Sequence, residues 1–433
     1  MTEMATSPAT TAAAQPAARG IAGFAPWIVA AALIILLPLV FRSGTSLTLM
    51  SLMGIAIVFA LSFNMLLGQT GMLSFGHAVY YGLGAYMVVH ATNWVTKAGW
   101  PVPLPLLPLV GGVTGLVFAA LFGWVSTKRA GTAFAMISLG LAELVGSSSL
   151  ILRSFFGGEE GVSTNRTKLL RVFDVNFGSQ LQVYYLIGAW CLIAAALMYA
   201  LTRTPFGRMS NAVRDNPERV QFIGYDPHII RFIAFCLSGF FAGIAGGLVG
   251  INFELANAQL FSASQSGIVL LATFIGGAGH FIGPVLGAIL VTYLQNMLSD
   301  ITEIWQLYFG LMFIAVVMYA PGGLAGLIMM HRPLLKAGRL GRVVPAYLLA
   351  LIPALIAFGG AVLVIEMIAH LTTKASEGPG MKLFGVAFST RTAPPWVAGI
   401  AMIVAGLGAL RFAMPRATSA FDQARAPAGG GAA

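Results

Sequence analysis

The sequence predicts an all-α polytopic integral membrane protein, with about ten core transmembrane helices and two appended C-terminal spans. Hydrophobic residues make up 58% of the 433 residues and charged residues only 9%, against roughly 25% charged in soluble domains. Several apolar runs reach the ~20 residues needed to span a bilayer. The Lys and Arg residues behind the net charge of +10 lie in loops between these runs, where topology accounts for them. The expected surroundings are a lipid bilayer, and no nucleic acid partner is expected.

Twelve spans are predicted from the apolar runs. They lie near residues 24–41, 46–67, 72–91, 103–126, 131–152, 182–201, 229–251, 266–279, 283–299, 305–328, 345–368 and 395–412. The pieces at 266–279 and 283–299 are short, so we expect either tilted helices or a broken pair meeting near His280 and Gly283. The first run is long for a signal peptide and is followed by a poor cleavage site, so we expect an uncleaved span.

Loop charge predicts that the N-terminus faces the cytoplasm. This orientation places the basic residues within 128–129, 203–219 and 332–342 inside, although the outer loop at 153–181 also carries Lys and Arg.

The spans and the composition of the tails divide the chain into five parts. These are a disordered tail at 1–20, a core transmembrane domain at 21–330, a basic cytoplasmic linker at 331–344, two additional spans at 345–412 and a second disordered tail at 413–433.

The polar stretch at 203–228 contains the start and stop signals of a short cytoplasmic helix. Asn216 is a good cap, and Pro217 fits the first helical position, where a missing N–H has no consequence. Glu218 lies in the first turn, where the helix dipole favours an anion. Gly224 can end the helix in the left-handed conformation. The sequence therefore predicts about two turns of helix at 216–224.

The predicted short helix carries two apolar residues, Val220 and Ile223, which fall on one face. A helix of two turns is not stable alone in water. It therefore needs a surface to lie on, either the rest of this chain or another protein.

Two glycine-dense segments enter the membrane, at 68–84 and at 276–287. Glycines permit close helix packing, and they also permit interrupted helices where the backbone lines a cavity or is buried in protein. One interpretation is tight packing with locally satisfied polar groups. The other is a discontinuous helix beside a translocation path, with the hypothesis of a pseudo-symmetric repeat in two halves of the chain. The path residues under the second hypothesis are Asn64, Gln69, Ser74, His77, Gly276 and Gly277.

No sequence motif indicates catalysis. The chain has no phosphate-binding G-x-x-x-x-G-K-[ST] loop, no H-E-x-x-H, no Cys/His spacing for a metal and no G-x-S-x-G elbow. We therefore expect no enzyme activity, cofactor or metal. Intramembrane ionisable residues are few, with Glu143 and Glu366 as the candidates. An ion-driven carrier would more often show several buried carboxylates, so the energy for any transport is expected to come from elsewhere.

Six segments together resemble the permeases of bacterial branched-chain amino-acid ABC importers, specifically the LivM-like subunit. They occur in the family's order and cover roughly residues 45–330. The matching pieces are residues 64–77 with 82–86; Gly131 with 134–136 and Leu139; 212–217 with Gly224; 238–239 with 242–246; 276–284; and 321–324.

This resemblance implies a permease that pairs with a related second permease, two cytoplasmic ATPase subunits and a periplasmic solute-binding protein, in the bacterial inner membrane. ATP hydrolysis would occur on the partner subunits. The helix at 216–224 would be the coupling helix, seated in a cleft of the ATPase. Arg214, Asp215 and Glu218 would orient this helix, and Val220 and Ile223 would anchor it.

Two departures from the family pattern stand out. The outer loop after the fifth span reads Phe-Gly-Gly-Glu-Glu-Gly at 156–161 in place of a Thr-Gly-Gly motif, and the spans at 345–412 are additional. The expected cargo is branched-chain or other apolar amino acids. The alternatives are a permease for urea or short amides, an ion-gradient-driven carrier without ATPase subunits, and a membrane scaffold without transport.

Overall fold

The computed structural model describes residues 24–169, 176–373, 378–383 and 385–425. The predicted tail at 1–20 and residues 426–433 lie outside this part of the chain. Its helices are α1 (Ala25–Val40), α2 (Gly44–Thr70), α3 (Ala78–Ala98), α4 (Leu107–Ser126), α5 (Thr132–Ile151), α6 (Arg153–Phe156), α7 (Gln180–Arg203), α8 (Pro205–Asp215), α9 (Pro217–Phe222), α10 (Pro227–Phe253), α11 (Ala263–Gly276), α12 (Ile282–Ser299), α13 (Trp305–Tyr319), α14 (Gly323–Lys336), α15 (Leu340–Thr373) and α16 (Ala393–Arg425). Its strands are β1 (Val162–Ser163), β2 (Leu255–Ala256), β3 (Gly380–Leu383) and β4 (Val386–Ser389).

The described residues form an all-α polytopic membrane protein, as predicted. Eight of their helices are long and apolar enough to cross a membrane, or nine if the bent pair α13 and α14 counts as one span. The predicted ten core spans include helices that this length and hydropathy test does not count: α1 and α11 are apolar but shorter than 18 residues, and α3 is not among the eight. The predicted span at 72–91 begins later, at Ala78, because the preceding glycine-rich residues are not helical.

The described residues divide into two compact units, with the division between Val269 and Leu270. In the first unit, α10 packs against α2, α3 and α4, and it is the most buried of the described candidate spans. Glycines allow this close approach: a Cβ on Gly243 would overlap the Gly111 carbonyl of α4, and one on Gly246 would overlap the Tyr81 carbonyl of α3. Small residues at helix contacts are the usual means of packing in a membrane, where lipid gives no hydrophobic driving force.

The predicted outer loop after α5 contacts the C-terminal end of α10 through strand pairing and hydrogen bonds. β1 pairs antiparallel with β2, with Val162 opposite Ala256. Arg166 donates hydrogen bonds from Nη1 to the carbonyls of Ile251 (2.9 Å) and Asn252 (3.0 Å), and its Nε lies 3.4 Å from Glu254 Oε1. These bonds satisfy carbonyls of the last helical turn that have no partner within the helix.

In the second unit, α15 and α16 pack along their length. Gly360 and Gly406 allow the contact, since a Cβ on either would crowd the facing backbone. The antiparallel pair of β3 and β4 lies between the two helices in the chain. Tyr308 on α13 donates a hydrogen bond of 2.8 Å to the Glu366 carboxylate on α15, so the intramembrane charge of the first appended span has a partner on a core helix.

Two predicted boundaries in the second unit are wrong. The linker expected at 331–344 is reduced to residues 337–339, because α14 continues to Lys336 and α15 begins at Leu340. The tail expected to be disordered from residue 413 is helical as far as Arg425. It is ordered because Phe421 and Ala424 pack against Leu334 and Val343 at the turn between α14 and α15.

Candidate functional site

The glycine-dense segment after α2 is an interrupted helix, as one of the two interpretations predicted. α2 ends at Gly71 in the left-handed conformation (φ 70°), and the next regular helix begins at Ala78. His77 Nε2 lies 2.9 Å from Ser62 Oγ, which is eight residues, or roughly 12 Å of helix, before the end of α2. The non-helical residues 71–77 therefore run back along α2, and α3 starts well inside the helical bundle.

Neighbouring helices supply hydrogen-bond partners to this irregular backbone. Phe75 N–H donates to Ser138 Oγ of α5 (3.0 Å), and Ala78 N–H donates to Ser266 Oγ of α11 (3.1 Å). A Cβ on Gly76 would overlap the Ser138 carbonyl, so α5 packs directly on the segment. Non-helical backbone at membrane depth is tolerated only when it is paired in this way or lines a water-filled cavity.

Three of the predicted path residues are buried polar groups beside this segment. Asn64, Ser74 and His77 are at most 5% exposed. Asn64 Oδ1, Ser74 Oγ and His77 Nδ1 have no hydrogen-bond partner within the described residues. Gln69 lies in the last turn of α2 and is half-buried. The arrangement places an incompletely satisfied polar patch in the interior of the first unit.

Gly276 and Gly277 belong to the second unit and take part in backbone packing. A Cβ on Gly276 would overlap the Gly283 carbonyl, and one on Gly277 would overlap the Gly322 carbonyl. The chain therefore turns between α11 and α12 with the 321–324 segment seated on the turn. The break predicted near His280 and Gly283 is confirmed, while the contacts of the two glycines fit tight packing better than a path wall.

The predicted cytoplasmic helix is present as α9, and its caps are confirmed. Asn216 Oδ1 accepts a hydrogen bond of 2.9 Å from Arg219 N–H, and Gly224 adopts a left-handed φ of 89°. A second helix, α8, precedes it and was not predicted. It carries the same signal, a side-chain cap followed by proline, since Thr204 Oγ1 accepts from Gly207 N–H and Pro205 follows it.

The apolar residues of α9 do not share one face, so that prediction is wrong. Val220 is buried against Val213 of α8 and Ile230 of α10, whereas Ile223 is 60% exposed. Ile223 is the C-cap residue of α9, and the cluster that buries Val220 does not extend to it. The exposed apolar group consists instead of Phe222 (89% exposed), Ile223 and Tyr225 (54%). Sequence reasoning missed Phe222 and Tyr225, although both flank the predicted stop signal.

Arg214 connects α8 to the start of the interrupted segment. Its Nη1 donates to the Gly68 carbonyl in the last turn of α2, and its Nε lies 3.0 Å from Asp215 Oδ1. A Cβ on Gly71 would lie 3.1 Å from Arg214 Cγ, so the side chain lies against the first non-helical residue. Asp215 and Glu218 are exposed.

One face of α5 is exposed and carries polar side chains. Thr132, Met136, Gly140, Glu143 and Ser147 follow one another at spacings of three or four residues, and all five are exposed in this chain; three of them, Thr132, Glu143 and Ser147, are polar. Glu143 has no hydrogen bond or ion pair within the described residues. A carboxylate facing lipid at the middle of a bilayer costs about 2.5–3.5 kcal/mol on insertion scales. This face, which we call the α5 stripe, is therefore suited to a water-filled passage or to another protein. The sequence had indicated Glu143 alone.

Comparison with known proteins agrees with this architecture. Residues 45–320 match the family described as branched-chain amino acid transport system / permease component. The chain is 26% identical over 303 residues to the high-affinity branched-chain amino acid transport system permease protein LivM of Salmonella typhimurium, covering 65% of this chain and 69% of the relative. It is 27% identical to the Escherichia coli K12 LivM protein over the same shares.

A more distant relative is the probable branched-chain amino acid transport permease protein LivH of Methanocaldococcus jannaschii. It is 24% identical over 251 residues, which cover 56% of this chain and 76% of the relative. No solved structure matches the chain significantly. The family match covers more than half of the chain and nearly all of the core helices, and the chain therefore belongs to the family of branched-chain amino acid transport system permease components.

Proposed function

We propose that this chain is the transmembrane permease subunit of an ATP-driven importer for branched-chain or other apolar amino acids in the bacterial inner membrane. Its partners are a related second permease, two cytoplasmic ATPase subunits that hydrolyse ATP and a periplasmic solute-binding protein. The permease names of the relatives support the cargo. The names of these relatives do not support urea or short amides as the cargo, or an ion gradient as the energy source.

The observation that carries the proposal is the exposed apolar group at the end of α9. Phe222, Ile223 and Tyr225 project from a short capped helix on the predicted cytoplasmic side. The inner face of this helix is already occupied by Val220, which anchors it to α8 and α10. Large aromatic residues left exposed on a rigid support are typical of a docking surface. The ATPase is the partner expected on this side.

The proposed roles of the predicted coupling residues change accordingly. Val220 holds the helix on the permease, while Phe222 and Ile223 enter the ATPase cleft. Arg214 connects the helix to the membrane segment, and Asp215 and Glu218 remain available to the partner. Asn216, Pro217 and Gly224 fix the start and the end of α9.

We also propose that the α5 stripe lines the passage or the contact with the second permease. Two permease subunits can enclose a passage only by bringing exposed helix faces together. The polar character of this face favours such a position over lipid. The buried Asn64, Ser74 and His77 then form a polar layer behind the passage.

Co-purification tests the docking surface. We expect an ATPase subunit to co-purify with the wild-type chain from membranes of a strain expressing the whole system. Phe222→Asp should remove it, because the change places a charge at the centre of an apolar contact. The matched control is Trp100→Asp, another exposed aromatic residue (63% exposed) in a loop predicted to lie outside. Loss of the ATPase in both variants, or in neither, would refute the assignment of α9.

Uptake measurements separate the proposed function from its rivals. Reconstituted complex with ATP should import radiolabelled leucine and not urea. The purified chain alone should import neither under a proton or sodium gradient. Uptake by the isolated chain under a gradient would favour a carrier, and uptake of urea alone would reassign the cargo.

A further inference from the structure

We propose that the turn between α14 and α15 binds an anionic phospholipid, with one acyl chain in an apolar groove and the phosphate near a cluster of basic residues. The two helices diverge from the short turn at 337–339 and enclose a groove of about 380 Å³. Leu327, His331 and Leu335 line it from α14, and Leu340, Val344 and Tyr347 line it from α15. The proposal is independent of transport.

The groove is a formed feature held by specific contacts. His331 Nε2 lies 2.8 Å from the Tyr347 hydroxyl, and His331 Nδ1 lies 2.7 Å from the Leu327 carbonyl. A proton on Nδ1 lets the ring donate to the carbonyl and accept from the tyrosine, which satisfies both nitrogens. This bridge joins the two arms of the groove and fixes their separation.

The end of α16 closes one side of the same region. Phe421 lies 5.4 Å from the His331 ring, and Ala424 packs with Leu334 and Val343. Arg339 Nη1 lies 3.4 Å from the Ala424 carbonyl. The final turns of α16 therefore have a function in the fold, which is to complete the wall behind the groove.

Charge identifies the class of ligand. Residues 331–342 contain Arg332, Lys336, Arg339 and Arg342 and no acidic residue. Arg332 directly follows the groove-lining His331, and Lys336 directly follows the groove-lining Leu335; both basic residues are exposed and start at the edge of the groove. The acidic residue on the helix end packed against this region is Asp422, which leaves a clear excess of positive charge. Basic pockets between helices on the cytoplasmic side are suited to anionic headgroups.

The length of α15 places this charge at the level of the headgroups. Its 34 residues extend for roughly 51 Å, against about 30 Å of hydrocarbon. Arg342 marks one end of the apolar run, and the groove residues from Val343 to Tyr347 occupy its first turns. An acyl chain in the groove would therefore bring its phosphate to the level of Arg332 and Lys336.

Native mass spectrometry of the full-length chain in detergent tests the proposal. The protein is titrated with phosphatidylglycerol and with phosphatidylcholine that carry the same acyl chains. We expect tighter binding of phosphatidylglycerol. Replacing two basic residues in Arg332→Gln/Lys336→Gln should weaken it by roughly 30-fold, at about 1 kcal/mol per charge. The double change Lys128→Gln/Arg129→Gln, in another predicted cytoplasmic loop, should have little effect.

A variant that fills the groove tests the acyl-chain contact. Val344→Phe should lower the affinity for both lipids while leaving the preference for phosphatidylglycerol. Equal wild-type affinity for the two lipids, or equal weakening by the two charge variants, would overturn the headgroup assignment. Unchanged affinity of Val344→Phe for both lipids would overturn the groove assignment. Melting temperatures within a degree of wild type verify that each variant is folded.

Discussion

The hydroxyl of Ser266 is predicted to cap α3 from another helix. α3 begins at Ala78, and its N-cap residue, His77, makes no side-chain cap bond. The first N–H groups of a helix have no partner within the helix. Ser266 accepts from Ala78 N–H at 3.1 Å, and the two residues are 1% and 0% exposed. Ser266→Ala would therefore leave a buried donor without a partner and without access to water.

The expected loss of stability follows from this burial. A buried donor left unpaired costs about 1–3 kcal/mol, and loss of an ordinary cap costs about 0.5–2 kcal/mol. Hydrogen bonds between membrane helices average about 0.6 kcal/mol, because the unfolded chain finds other partners in the membrane. We therefore expect a loss of about 1–2 kcal/mol. At roughly 2–4 °C per kcal/mol, the melting temperature should fall by about 2–8 °C.

Thermal unfolding in detergent measures this loss, with two comparison variants. Ser266→Thr keeps the hydroxyl and should restore most of the stability. Ser264→Ala makes the same change on the same helix at an exposed position and should melt with the wild type. The cap is refuted if Ser266→Ala melts at the wild-type temperature, or if Ser264→Ala falls by the same amount.

Three further substitutions test other contacts of the fold. Gly246→Ala should reduce the yield of monodisperse protein, because a Cβ there overlaps a carbonyl of α3 and overpacking costs about 1–3 kcal/mol. The control is Gly140→Ala, whose Cβ would meet nothing within 4 Å. Equal yields of the two variants would contradict the packing. Gly277→Ala should lower the melting temperature for the same steric reason, and an unchanged transition would contradict the turn geometry. Arg214→Gln should lower leucine uptake more than ATP hydrolysis in the reconstituted complex, whereas equal losses of both would contradict a connecting role.

Features set by local chemistry could be predicted from the sequence. The capped helix at α9 follows from Asn216, Pro217 and Gly224, because each acts within one or two turns of its own position. The interruption after α2 was one of two interpretations of the glycines at 68–84. Most spans were located because an apolar run of about 20 residues has few alternatives.

Features set by packing partners could not be predicted. Val220 and Ile223 were assigned to one face by spacing alone, but α9 ends between them and α10 supplies the cover for Val220. Residues 413–425 have the composition of a disordered tail, and they are helical because Leu334 and Val343 offer a surface. The depth of His77 likewise depends on Ser62, a contact that no local pattern records.

The contacts of Arg214 suggest how motion at α9 would reach the membrane. α8 and α9 pack through Val213 and Val220, so displacement of α9 moves α8 with it. Arg214 on α8 is bonded to the end of α2 and lies against Gly71, the first residue of the non-helical segment. The far end of that segment is held by Ser138 and Ser266. A segment without internal helical bonds, fixed at both ends, can absorb such a displacement by backbone rotation, whereas a continuous helix would transmit it unchanged to the outer side.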